Sequence, residues 1–86
     1  MAPLTRPRHP MPAWVREALE RRGLMRAYLS RPPYQQNDYL GWIGRAKLEP
    51  TKQRRLGQML DELERGDRYM KMAYRAAKPA AGMRRR

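Results

Sequence analysis

Four carboxylates crowd one stretch of the chain, Asp61, Glu62, Glu64 and Asp67, and paired carboxylates are common equipment for general acid–base chemistry. Their spacing argues against that use. Leu56, Met59, Leu60 and Leu63 take the i, i+3, i+4, i+7 positions of an amphipathic helix, which leaves the acids to its solvated face with no buried neighbour to raise a pKa. The single histidine, His9, lies in Arg6-Pro7-Arg8-His9-Pro10. The flanking prolines favour an extended, solvated backbone without a fixed geometry for a base or a metal ligand. The absence of cysteine removes thiolate nucleophiles, disulfides and Cys-ligated zinc. No nucleophile and base, metal set or phosphate loop is legible, so the reading is of a non-enzymatic chain that needs no cofactor and no metal.

Residue types suited to binding are better represented. Tyr34, Gln35, Gln36 and Asn37 follow two rigid prolines, and as consecutive polar residues at a helix start they form a candidate edge for a protein partner. Tyr34, Tyr39 and Trp42 near Arg31, Arg45 and Lys47 could stack bases, although a chain without phenylalanine needs Tyr39 and Trp42 as core volume. Cations form the second candidate set. Lys and Arg total 20 against 8 Asp and Glu, a net charge of +12, which makes an acidic partner worth testing. The excess sits in the flanks: residues 1–11 carry +2, residues 12–67 carry +3 and residues 68–86 carry +7. Arg68, Lys71, Arg75, Lys78, Arg84, Arg85 and Arg86 are therefore candidate phosphate ligands, as are Lys52, Arg54 and Arg55, which could share a face with Arg21, Arg22 and Arg26. Such a tail would bind nucleic acid without sequence preference, or stay simply solvated. Its Ala-rich apolar face lacks the anchors of an interfacial helix and argues against membrane association.

An all-α domain positions these residues. With 86 residues the chain has room for one small core, and three regions follow. Residues 1–11 hold Pro3, Pro7 and Pro10 with little apolar content and should stay mobile. Residues 12–67 hold four helices. Trp14, Val15, Ala18 and Leu19 predict a helix over 12–22, stopped by Gly23, and a short one over 24–30 points Leu24, Tyr28 and Leu29 inward before Pro32 ends it. Pro33 opens a third over 33–46, in which Gly41 and Gly44 suggest close packing against a neighbour, and Pro50 opens a fourth that Gly66 stops. In residues 68–86, Arg68, Lys71, Arg75 and Lys78 share one arc of a helical wheel and Met70, Ala73, Tyr74 and Ala77 another. That pattern predicts a fifth, basic helix over about 67–78, ended by Pro79, with a disordered end. No segment alternates with period two, so no sheet is expected.

The stretch RPPYQQNDYLGWIGRAKLEPTKQRRLGQMLDELERG, Arg31 to Gly66, resembles the helical domain of the YdeI/OmpD-associated (bacteriocin-protection) family. The likeness rests on Pro32-Pro33 opening a helix, Tyr39-Leu40-Gly41-Trp42-Ile43 within it, Ala46-Lys47 at its end, and Pro50-Thr51 leading into Arg54-Arg55-Leu56 and a closing Gly66. Trp14 to Leu29 is similar to the paired short helices that precede that motif, and the basic extension after Gly66 falls outside it. The resemblance implies a compact helical domain in a bacterial cytoplasmic protein, linked to envelope stress or bacteriocin tolerance, with no catalytic residues to carry over. The chain then reads as a non-catalytic interaction module, a monomer or weak dimer with an unidentified protein partner. The alternative is non-specific nucleic-acid binding through the basic flanks. With no signal-peptide pattern and no apolar run long enough to span a bilayer, cytoplasmic residence is the expectation.

Overall fold

The computed structural model describes residues 9–74. Four helices follow one another, α1 (Ala13–Arg21), α2 (Met25–Leu29), α3 (Pro33–Arg45) and α4 (Glu49–Arg65), and a two-stranded antiparallel hairpin, β1 (Arg68–Tyr69) with β2 (Met72–Ala73), closes the chain. Each predicted helix of the central region is present with its ends shifted by one residue or so. The stops work as the sequence implies. Gly23 at φ +69° and Gly66 at φ +82° take the left-handed conformation that suits glycine, and the Leu24 N–H reaches back to the Leu19 carbonyl at 2.8 Å, tying the end of α1. Pro33 and Pro50 lie in the first turns of α3 and α4, where a missing N–H leaves no bond unmade.

The core is one cluster. Val15 and Leu19 of α1, Tyr39 and Ile43 of α3, and Met59 of α4 are fully buried, with Leu24, Tyr28, Leu56, Leu60 and Leu63 around them and Trp14 and Trp42 packed at the margin. Arg22 at the end of α1 reaches Glu64 of α4 at 2.8 Å and Asp61 at 3.7 Å. This exposed pair contributes at most about 1 kcal/mol but orients the two helices.

Three expectations are corrected. Leu29 is 61% exposed. It lies about 100° around a five-residue helix from Tyr28, and one short turn has a single buried side. Gly44 has nothing within 4 Å of where a Cβ would stand, whereas a Cβ on Gly41 would come within 2.8 Å of the His9 imidazole, so only Gly41 makes room for a neighbour. That neighbour is the third correction. His9, expected in a mobile segment, donates its backbone N–H to Asn37 Oδ1 at 2.7 Å, and Met11 packs on the core, so residues 9–11 belong to the folded unit.

The fifth helix is not found among the described residues. Residues 68–73 form the hairpin instead, and the remaining predicted helical residues, 75–78, lie outside the described part. The physical reason is a carboxylate. Met70 and Lys71, at φ 52° and 68°, make a two-residue turn with both central residues left-handed, the geometry that matches strand twist. For residues other than glycine this conformation costs roughly 1–2 kcal/mol each. Here both N–H groups point at Glu62 of α4, with Met70 N–H on Oε1 at 2.8 Å and Lys71 N–H on Oε2 at 2.7 Å. Charge-assisted bonds of this kind offset the strain. A helical wheel compares side chains only, and backbone amides drawn to a distant anion lie outside its view.

Replacing Lys71 with glycine separates the two conformations by sign. In the left-handed turn K71G relieves strain and should raise stability by about 0.5–1 kcal/mol, whereas in a helix interior it would lower it by about 1 kcal/mol. Urea denaturation followed by circular dichroism reads the difference.

Candidate functional site

Glu62 organises the surface around it. The acid expected on a solvated face is only 5% exposed. Besides the two hairpin amides, its carboxylate accepts the Tyr39 hydroxyl and, at 3.2 Å, the Gln58 amide. Glu62 lies about 60° around α4 from fully buried Met59, at the margin of the apolar stripe, and that marginal position was the one available signal. The other three acids, Asp61, Glu64 and Asp67, are exposed as expected. A hydrogen bond from Arg65 at 3.2 Å holds the Asp67 carboxyl below its ordinary range. Burial, reinforced by the hydrogen bond to Glu62 and its charge, pushes the Tyr39 hydroxyl far above the ordinary tyrosine value. The Tyr69 ring stands edge-on to Tyr39 at 5.4 Å and to Tyr34 at 6.1 Å, and its hydroxyl donates to Asp38 at 2.7 Å.

Buried Arg31 is the second polar centre. Its guanidinium donates to Gln35 Oε1 at 3.0 Å and to the Glu62 carbonyl at 3.1 Å, and it lies 4.6 Å from the centre of the Tyr74 ring. The expected binding edge divides here. Gln35 is buried on Arg31, and Gln36 donates to the carbonyls of Leu29 at 3.3 Å and Arg31 at 2.8 Å, closing the turn between α2 and α3. Asn37 holds His9. Tyr34 is the most exposed of the four at 52%, close in sequence to exposed Leu29, with its hydroxyl accepting the Gln35 amide at 3.1 Å. A cleft of about 250 Å³ opens beside it, lined by Tyr28, Pro33, Tyr34, Gln36, Asn37 and His9.

The candidate phosphate ligands divide as well. Arg75, Lys78, Arg84, Arg85 and Arg86 lie outside the described residues. Arg68 is half-buried in β1, and Lys52 is half-buried in the first turn of α4. Arg54, Arg55 and Lys71, from two separate stretches of sequence, converge on one groove of about 620 Å³ between α3, α4 and the hairpin turn. Arg55 is fixed there, its guanidinium 5.2 Å from the centre of the Trp42 ring and bonded to the Trp42 carbonyl at 2.7 Å. Trp42 is half-buried and lines the same groove, and Gly57 leaves its α4 wall without a side chain. Arg22 is not part of this patch. It pairs with Asp61, which lines the groove, and with Glu64, about 14 Å along α4 from Arg55 at the rise of a helix.

Among the described residues no group of His, Cys, Asp and Glu is arranged to hold a metal ion, and no helix is long and apolar enough to cross a membrane. What the site geometry defines is a small helical scaffold whose buried polar groups hold its elements together. A family model for the bacteriocin-protection, YdeI or OmpD-associated proteins matches residues 9–66. The chain belongs to that family. The matched segment runs from the residue that packs on Gly41 to the glycine that caps α4. No curated protein and no solved structure matches the chain.

The Tyr39 hydroxyl gives the fold an alkaline limit. Its folded pKa is raised above the unfolded value of 10.0, so the stability of the neutral hydroxyl is fully present below that value and lost as pH rises towards the folded pKa. Burial raises Tyr28 in the same direction. Urea midpoints should therefore fall from about pH 9 to 11, and Y39F, about 1 kcal/mol less stable near neutrality, should show a shallower fall.

Proposed function

We propose that the chain is a non-catalytic helical interaction module of its family, acting in the bacterial cytoplasm in a stress or bacteriocin-protection role by binding a partner protein. The observation that carries this reading is the edge between α2 and α3. Leu29 is turned to solvent and half-exposed Tyr34 lines a cleft, on a turn stiffened by Pro32, Pro33 and the two Gln36 bonds. An exposed tyrosine on a rigid turn suits protein recognition, since it brings area and a hydroxyl with little entropy to lose. The buried polar groups of the fold support the non-catalytic half of the reading. Glu62, Arg31 and Gln35 are each occupied by hydrogen bonds within the fold, the arrangement of structural groups.

The second reading is non-specific nucleic-acid binding through the flanks, favoured by seven cations without one anion in residues 68–86. In-cell photocrosslinking separates the two. A crosslinker at Tyr34 should give a discrete protein adduct that a crosslinker at exposed Arg16 does not. L29D with Y34A should weaken the complex by tenfold or more, about 1.4 kcal/mol, and a chain trimmed to 9–74 should keep it. Loss of all binding on trimming, with Tyr34 giving no adduct, supports the flanks instead.

A further inference from the structure

We propose that the groove between α3, α4 and the hairpin turn binds the backbone of single-stranded nucleic acid, with Arg55, Arg54 and Lys71 as phosphate ligands and the Arg55–Trp42 stack as a platform for a base. This site lies in the folded domain, apart from the Tyr34 edge, and shares only Lys71 with the basic flank of residues 68–86.

Four observations converge. First, the cations come from separate elements, Arg54 and Arg55 from α4 and Lys71 from the hairpin turn, yet line one groove. Second, Arg55 is preoriented. The Trp42 ring lies along one side of its guanidinium and the Trp42 carbonyl takes one N–H, so its planar fork is held at the groove wall rather than swinging in solvent. A fixed guanidinium both donates to phosphate oxygens and offers a plane on which a base can stack. Third, of the two acids that line the groove, Asp61 and Glu62, the buried one, Glu62, is occupied. Glu62 accepts both hairpin amides and the Tyr39 hydroxyl, and Asp61 lies 3.7 Å from Arg22. The positive charge of the groove is thus only partly cancelled. Fourth, Gly57 stands in the middle of α4 without a positive φ and with nothing within 4 Å of a Cβ. Its missing side chain leaves the α4 wall of the groove open.

The shape favours a single strand. A groove of about 620 Å³ exceeds what one phosphate fills, and an aromatic ring beside cations is the recurring arrangement for unpaired bases, whose faces a duplex hides. An acidic protein segment would use the cations but has no use for the platform.

The test is fluorescence titration of the full-length protein with oligothymidylate about a dozen nucleotides long, with a W14F background so that Trp42 reports, at about 50 and 200 mM salt. Binding should quench Trp42. R54Q/R55Q/K71Q should weaken binding at least tenfold and flatten the salt dependence, while R16Q/R21Q/R26Q, an equal loss of charge on exposed α1 and α2 positions, should weaken it less than threefold. G57L fills the groove with no change of charge and should also weaken binding about tenfold, its fold checked by circular dichroism. Equal losses in the two triple variants, an unaffected G57L, or no Trp42 quenching would overturn the site. So would polyglutamate of matched charge binding as tightly with the same variant pattern, which would assign the groove to an acidic protein. The Tyr34 reading is untouched by any of these outcomes.

Discussion

A single buried carboxylate holds the C-terminal half of this fold in place. Glu62 accepts the hydroxyl of a core tyrosine on α3 and the two left-handed amides of the hairpin, so one side chain on α4 joins three elements. A buried anion with no partners would be strongly unfavourable, and the left-handed pair at Met70 and Lys71 would be strained by itself. Each makes the other tenable. The polar bonds add directional constraints that apolar packing lacks, and these fix where Tyr69 inserts beside Tyr39 and Tyr34.

Much of the helical frame was legible because its signals are local. Prolines at 33 and 50, glycines at 23 and 66 and the Leu56, Met59, Leu60, Leu63 stripe act within a turn or two of chain. The resemblance on Arg31 to Gly66 pointed to the same family that the match over 9–66 shows. The hairpin was illegible for the opposite reason. Its cause, Glu62, is eight or nine residues away from the amides it binds, and Met-Lys carries no turn signature. Leu29 and His9 failed likewise, since whether a side chain on a short helix or a Pro-flanked segment finds cover depends on what stands opposite.

The candidate sites show the same division. The four-residue edge lies at a helix start, but Gln35 and Gln36 serve the turn, Asn37 holds His9 and Tyr34 is the most exposed of the four. The groove was invisible as a unit. Arg54 and Arg55 were read with α4 and Lys71 with the tail, and only the fold of the hairpin over α4 brings them beside Trp42. The family match ends at Gly66, so Glu62 lies inside the matched segment while the amides it receives lie just beyond. The hairpin therefore lies beyond the matched segment and is bound to a residue within it.

That arrangement gives the protein a built-in reporter of its own breathing. The amide protons of Met70 and Lys71 are not held in a helix or a strand ladder but on Glu62, and they meet solvent freely only when the hairpin lifts from α4. Their deuterium exchange measures the free energy of that single local opening, separately from global unfolding. Because Lys71 also lines the groove, the same two protons register whether the groove wall is closed or open.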